Sequence, residues 1–119
     1  MLSPLSSGQK RQNGRSLARF KVRYGNREPL RTGFTENVSE GGLFLKGNFL
    51  FRCLTLVRIE IIIPDEEHVL FIGQVCWVRR PSPLFPRMGR MGGMGIRIVR
   101  FIENPARYLV LCKELQGGA

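Results

Sequence analysis

The chain has 119 residues, enough for one domain with a modest core and too few for two cores and a linker. Nineteen Lys and Arg against nine Asp and Glu give a formal charge of +10, and the excess is arginine, because only Lys10, Lys21, Lys46 and Lys113 are lysines. The guanidinium fork matches phosphate and the guanine edge, so this bias suggests ordered anion recognition, against the plain alternative that a basic charge only confers solubility.

Residues Met1 to Gly14 are rich in Ser, Gly, Gln and Asn without a hydrophobic period, which predicts a flexible basic arm over 1–14. Regular structure should begin near Ser16. From Ala18 to Tyr24 the alternation of Ala18, Phe20, Val22 and Tyr24 with Arg19, Lys21 and Arg23 predicts a half-buried strand, and Gly25 to Pro29 a turn. A second strand is expected over Leu30–Thr35, ending at a turn over Asn37–Gly42 and followed by the apolar run Leu43-Phe44-Leu45. The β-branched stretch Leu54–Ile63 predicts another strand, and Pro64-Asp65-Glu66-Glu67 a hairpin tip. Val69–Arg79 reads as a long strand with a bulge or bend at Gly73. The Pro- and Gly-rich segment Pro81–Gly93 reads as a long basic loop, and Gly95–Phe101 as a final strand. Asn104-Pro105 is a helix-start signal, with Tyr108, Leu111, Cys112 and Leu115 at helical spacing. The expected architecture is all-β: a small six-stranded antiparallel β-barrel over 15–102, closed so that no sheet edge is exposed, with a C-terminal α-helix over 103–116.

Three classes of chemistry are disfavoured. Cys53, Cys76 and Cys112 are odd in number, far apart and flanked by apolar residues, which predicts reduced, buried thiols. His68 is the only histidine, so no His/Cys zinc cluster is available and no metal or cofactor is expected. With one His, a nucleophile, base and orienting group cannot be assembled, and the expectation is binding without turnover, not an enzyme. No signal-peptide pattern or run of ~18 apolar residues occurs, so a cytoplasmic location is the default and no membrane span is expected.

Two local patterns carry recognition chemistry. Arg11 and Arg15 precede the first strand, where a curling segment directs both guanidinium groups to one phosphate or guanine; the plain alternative is tail charge. Asn37 and Ser39, two apart at a strand end, can read a base edge together, while Gly41 and Gly42 let backbone N–H groups approach a ligand; the plain alternative is an Asx-type turn. Arg19 and Arg23 read as solvated strand-face charge, and Trp77 as barrel core. Asp65-Glu66-Glu67 reads as an exposed acidic tip, and His68 as a turn or strand-start residue. Met88, Met91 and Met94 read as part of the mobile loop.

In order and placement, Arg11-Gln12-Asn13-Gly14-Arg15 and Asn37-Val38-Ser39-Glu40-Gly41-Gly42, with later strands Gly73–Val78 and Gly95–Phe101, give a chain that resembles the PilZ domain family over about Lys10 to Phe101. That resemblance implies a six-stranded barrel binding the bacterial second messenger cyclic di-GMP. It implies that Arg11 and Arg15 grip phosphates and guanine, that Asn37 and Ser39 contact a guanine edge, and that Gly42 holds the turn open. Arg15 with Arg19, and Arg19 with Arg23, also fit the spacing Arg-x-x-x-Arg. The leading expectation is a cyclic di-GMP sensor that orders its arginine arm on binding and signals to an unidentified effector protein. The alternative is a PilZ-like interaction adaptor for pilus or motility machinery that binds no nucleotide. Nucleic-acid binding is not expected, because Arg19, Lys21 and Arg23 have no interleaved aromatic for base stacking.

Overall fold

Alternation along each strand builds the barrel. The computed structural model describes residues 16–17, 19–64, 67–81 and 92–117. Its elements are β1 (Ser16–Leu17), β2 (Lys21–Gly25), β3 (Arg31–Ser39), β4 (Gly42–Gly47), β5 (Leu56–Ile63), β6 (Glu67–Arg79), β7 (Gly92–Glu103) and α1 (Pro105–Gly117). The strands pair antiparallel in the order β1-β3-β2-β5-β6-β7-β4, and a further β3–β4 pairing closes the sheet. The strands β2 to β7 therefore form a six-stranded closed antiparallel barrel with one C-terminal helix, and β1 lies along the end of β3.

The single strand expected over Ala18–Tyr24 is interrupted. β1 pairs Ser16 with Val38 and Leu17 with Asn37, whereas β2 pairs Lys21 with Phe34. Thr35 bridges the gap: its hydroxyl accepts from Phe20 N at 2.8 Å and its own N–H donates to Phe20 O at 2.9 Å. The expected faces hold across the break, with Val22 and Tyr24 fully buried and Arg19, Lys21 and Arg23 exposed. β3 runs on to Ser39, beyond the expected Thr35, through a bulge between Thr35 and Asn37. Asn37 is thus a strand residue, and the turn is confined to Glu40 and Gly41.

β5 and β6 supply much of the core. Val57, Ile59, Ile61 and Ile63 point inward from β5, and Val69, Phe71 and Val75 from β6, as a period of two requires when one face is buried. The register between β6 and β7 shifts at Ile72/Gly73, which places an irregularity at the glycine where the sequence suggested one. It shifts again between Val75 and Trp77. That shift, the third along this pair after Leu70/Phe71 and Ile72/Gly73, turns Trp77 outward, to 48% exposure, although the series 69, 71, 73, 75 extrapolates to an inward residue.

The helix covers one end of the barrel with Tyr108, Leu111 and Cys112 buried. Asn104 stands at its start with φ of 61°, a left-handed conformation that Asn tolerates. Its side-chain amide donates to His68 O at 2.7 Å, tying the helix start to β6. Two of the three cysteines expected to be buried are exposed, Cys53 and Cys76; only Cys112 is buried. Cys76 follows inward-facing Val75 and so falls on the outer face, and Cys53 lies in the β4–β5 connection. Apolar neighbours in sequence do not fix which way a side chain faces. The arm at 1–14, the centre of the β5–β6 tip at 65–66 and the loop residues 82–91, with Met88 and Met91, lie outside the described residues. No described helix is long and apolar enough to cross a membrane.

Candidate functional site

The end of β3 and the start of β4 form one wall of an open pocket of about 400 Å³, a size within the range of small-molecule sites. Ser39, Gly41 and Gly42 face Cys76 and Trp77 from β6, and Gly95, Ile96 and Arg97 from β7. Three of the expected site residues are therefore brought together. Asn37 lies two positions before Ser39 on β3, half-buried and outside the pocket lining. Arg11 and Arg15 lie outside the described residues. The chain that carries them joins β1 at Ser16, however, and Ser16 pairs with Val38, the neighbour of Ser39.

The turn is held from both sides. Ser39 Oγ donates to Gly42 O at 3.1 Å, which leaves the hydroxyl lone pairs able to accept. Ile98 N donates to Gly41 O at 2.9 Å. From beneath, the buried Tyr108 hydroxyl donates to Ser39 O and lies 3.4 Å from Gly42 O, so the helix props the turn. A Cβ on Gly42 would collide with Ile96 O of β7, so glycine there serves the close approach of β4 to β7. Gly41 faces open space.

The opposite wall is aromatic. Trp77 stacks on Phe44 with ring centroids 5.0 Å apart and planes inclined 27°, and the Arg79 guanidinium lies 4.6 Å from the Phe44 ring centroid. Trp77 lies across Gly95, where a Cβ would run into its indole nitrogen. A half-exposed indole, supported by Phe44 and seated on a glycine, offers a flat face for a base. Arg97 is exposed at the pocket wall, its Nη2 donating to Gln74 Oε1 at 2.7 Å. The pocket thus combines a hydroxyl acceptor, an aromatic face and a cation. Trp77, Cys76 and Arg97 were not legible as site residues; only the run of glycines at 92, 93 and 95 hints that something bulky packs over β7.

Of the two arginines at positions 19 and 23, Arg23 is remote from the pocket. Arg23 pairs with Thr32, roughly 23 Å along β3 from Ser39 at ~3.3 Å per residue. Arg19 stacks on Phe34, 4.3 Å from the ring centroid. Away from the pocket, His68 is the second residue of β6 and bridges two carboxylates, Nδ1 to Glu60 Oε2 at 2.9 Å and Nε2 to Glu103 Oε1 at 2.6 Å. The ring titrates above the usual histidine range, chiefly through its hydrogen bond to Glu103, with Glu60 adding and desolvation opposing. Among the described residues no group of three His, Cys, Asp or Glu side chains is placed to hold a metal ion.

A family model described as PilZ domain matches residues 9–110. Comparison with curated proteins returns no match. Among solved structures, the chain is similar to the Bacillus subtilis inhibitor of motility (MotI/DgrA), with a TM-score of 0.70 at 19% identity, covering 92% of this chain and 53% of that one. The chain thus spans about half the length of that protein. It is also similar to the PilZ domain of CeSA from a cellulose-synthesizing bacterium, with a TM-score of 0.56 at 20% identity, covering 87% of this chain and 95% of that one. At these identities the likeness to the two structures is one of fold.

Proposed function

The chain belongs to the PilZ domain family, and from that premise we propose that it is a cytoplasmic sensor of cyclic di-GMP that binds without turnover and passes the signal to an effector protein. One observation carries the reading: the strand that receives the arginine-bearing N-terminal segment pairs directly beside Ser39, at the mouth of the pocket. That pairing supports a site built from both parts of the recognition pattern, which lie 22 positions apart from Arg15 to Asn37 in sequence.

The chemistry of guanine fits the pocket. Its N1–H and exocyclic amine donate, and the Ser39 hydroxyl and the Asn37 side-chain oxygen accept. Its face stacks on Trp77, and its O6 and N7 accept paired hydrogen bonds from a guanidinium. Arg11 and Arg15 clamp the phosphates and a guanine edge, Gly41 presents its backbone to the ligand, and Arg97 adds cationic charge on the far wall. Ligand phosphate offsets the repulsion between Arg11 and Arg15, and the N-terminal segment then closes across the turn. That closure is the output. Titration calorimetry with cyclic di-GMP tests the proposal: a saturable isotherm is expected, and no heat at ~100 μM ligand, a free-energy threshold of roughly −5.5 kcal/mol, refutes it.

A further inference from the structure

At the other end of β3 the barrel carries a second concavity, formed by the β2–β3 hairpin and the β4–β5 connection. It is a groove of about 490 Å³ lined by Gly25, Asn26, Arg27, Glu28, Leu30, Arg31 and Phe51. β3 is nine residues long, so this groove lies ~26 Å from Ser39 at ~3.3 Å per residue. Its floor is preformed. The Tyr24 hydroxyl donates to Phe49 O at 2.7 Å, Tyr24 meets Phe51 edge-on at 6.1 Å, and Phe49 meets Phe51 at 4.7 Å. Its rim carries two exposed apolar side chains, Leu30 at 73% and Phe49 at 40% exposure. In the same connection Leu54 holds φ of 74° while 72% exposed, a backbone conformation that disfavours a leucine.

Charge selects the occupant. Arg27 and Arg31 line the groove against the single carboxylate of Glu28, and Arg52 follows Phe51 on its exposed side. The Arg31 guanidinium lies 3.7 Å from the Phe49 ring centroid, which holds a cation at the apolar rim. A second copy of a chain with charge +10 would add like charge to this face. We propose that the groove docks an acidic segment of a partner protein, whose carboxylates pair with Arg27 and Arg31 while an aromatic or aliphatic side chain packs on Phe51 and Leu30. The partner surface and the nucleotide pocket then occupy opposite ends of one strand, so each can be removed without touching the other. This identifies the effector side of the proposed function, but it does not depend on nucleotide binding.

The test is an amide chemical-shift titration of the full chain, without nucleotide, using the acidic hexapeptide Glu-Glu-Leu-Phe-Glu-Glu and its counterpart Lys-Lys-Leu-Phe-Lys-Lys. Saturable shifts at Gly25–Arg31 and Phe49–Arg52 with the acidic peptide alone are expected, with a Kd of ~100 μM or tighter. Arg31→Glu should weaken binding about tenfold, and Leu30→Asp provides an independent surface variant should the first disturb folding. No saturation at ~1 mM, equal binding of the basic peptide, or shifts centred on Ser39–Gly42 overturns the proposal. Because nucleotide is absent, failure here leaves the calorimetric result for cyclic di-GMP standing, and the reverse also holds.

Discussion

Tyr108→Phe isolates the prop beneath the turn. The ring is fully buried and packs against Phe101 and Phe71, with centroids 5.5 and 6.1 Å away, and phenylalanine retains those contacts. What is lost is a hydroxyl that donates to Ser39 O and approaches Gly42 O. A buried hydrogen bond contributes about 1 kcal/mol net, and leaving an acceptor less satisfied raises the cost to about 1–2 kcal/mol. For a chain of this size that corresponds to a fall in Tm of roughly 3–10 °C. The assay is thermal unfolding followed by circular dichroism, together with hydrogen exchange at the Ile98 amide, which donates to Gly41 O across the same turn. Faster exchange at Ile98 and a lowered Tm are expected. A Tm within ~1 °C of wild type with unchanged Ile98 exchange refutes the claim that the helix supports the turn.

Trp77→Ala removes the aromatic wall: base stacking of ~1–3 kcal/mol predicts a 5- to 150-fold loss of cyclic di-GMP affinity by calorimetry, and unchanged affinity removes Trp77 from the site. Gly42→Ala forces a methyl against Ile96 O and should cost about 1–3 kcal/mol in denaturant unfolding, whereas Gly41→Ala, facing open space, should change stability by less than ~0.5 kcal/mol; equal effects contradict the close-approach argument. His68 titrates higher in the folded chain than its unfolded value of about 6.5, so its ion pairs with Glu103 and Glu60 stabilise fully below that pH and are lost as pH rises through the folded value. The Tm difference between wild type and His68→Gln should therefore be larger near pH 6 than near pH 9, and a gap that grows with pH is the opposite of what is expected.

The barrel was legible because period-two alternation is a local property. Val22 and Tyr24 on β2, and Val57 to Ile63 on β5, declare their buried face within five to eight residues. Closure followed from the need to satisfy sheet edges. The β3–β4 turn beside the pocket was legible in Ser39-Glu40-Gly41-Gly42 because turn chemistry is also local, whereas Asn37, expected in the turn, is a residue of β3. Trp77 was not, since a register shift between Val75 and Trp77 reverses the facing that alternation predicts, and such a shift depends on the partner strand β7. Cys76 and Arg97 reach the pocket only because β6 and β7 pair beside the turn, a non-local fact. Tyr108 shows as a helical core residue in its spacing, but its hydroxyl contact spans 69 positions and carries no sequence signature.

In the proposed function, the pocket at Ser39 and Gly42 closes on cyclic di-GMP through arginines that precede β1. The most direct measurement is a parallel calorimetric titration of wild type, Arg15→Ala and Arg23→Ala with cyclic di-GMP. Loss of a charge-assisted contact predicts about 10-fold or greater weakening in Arg15→Ala. Arg23, paired with Thr32 near the far end of β3, should change affinity less than ~3-fold. Undetectable binding by wild type, or a loss in Arg23→Ala that matches Arg15→Ala, contradicts the account.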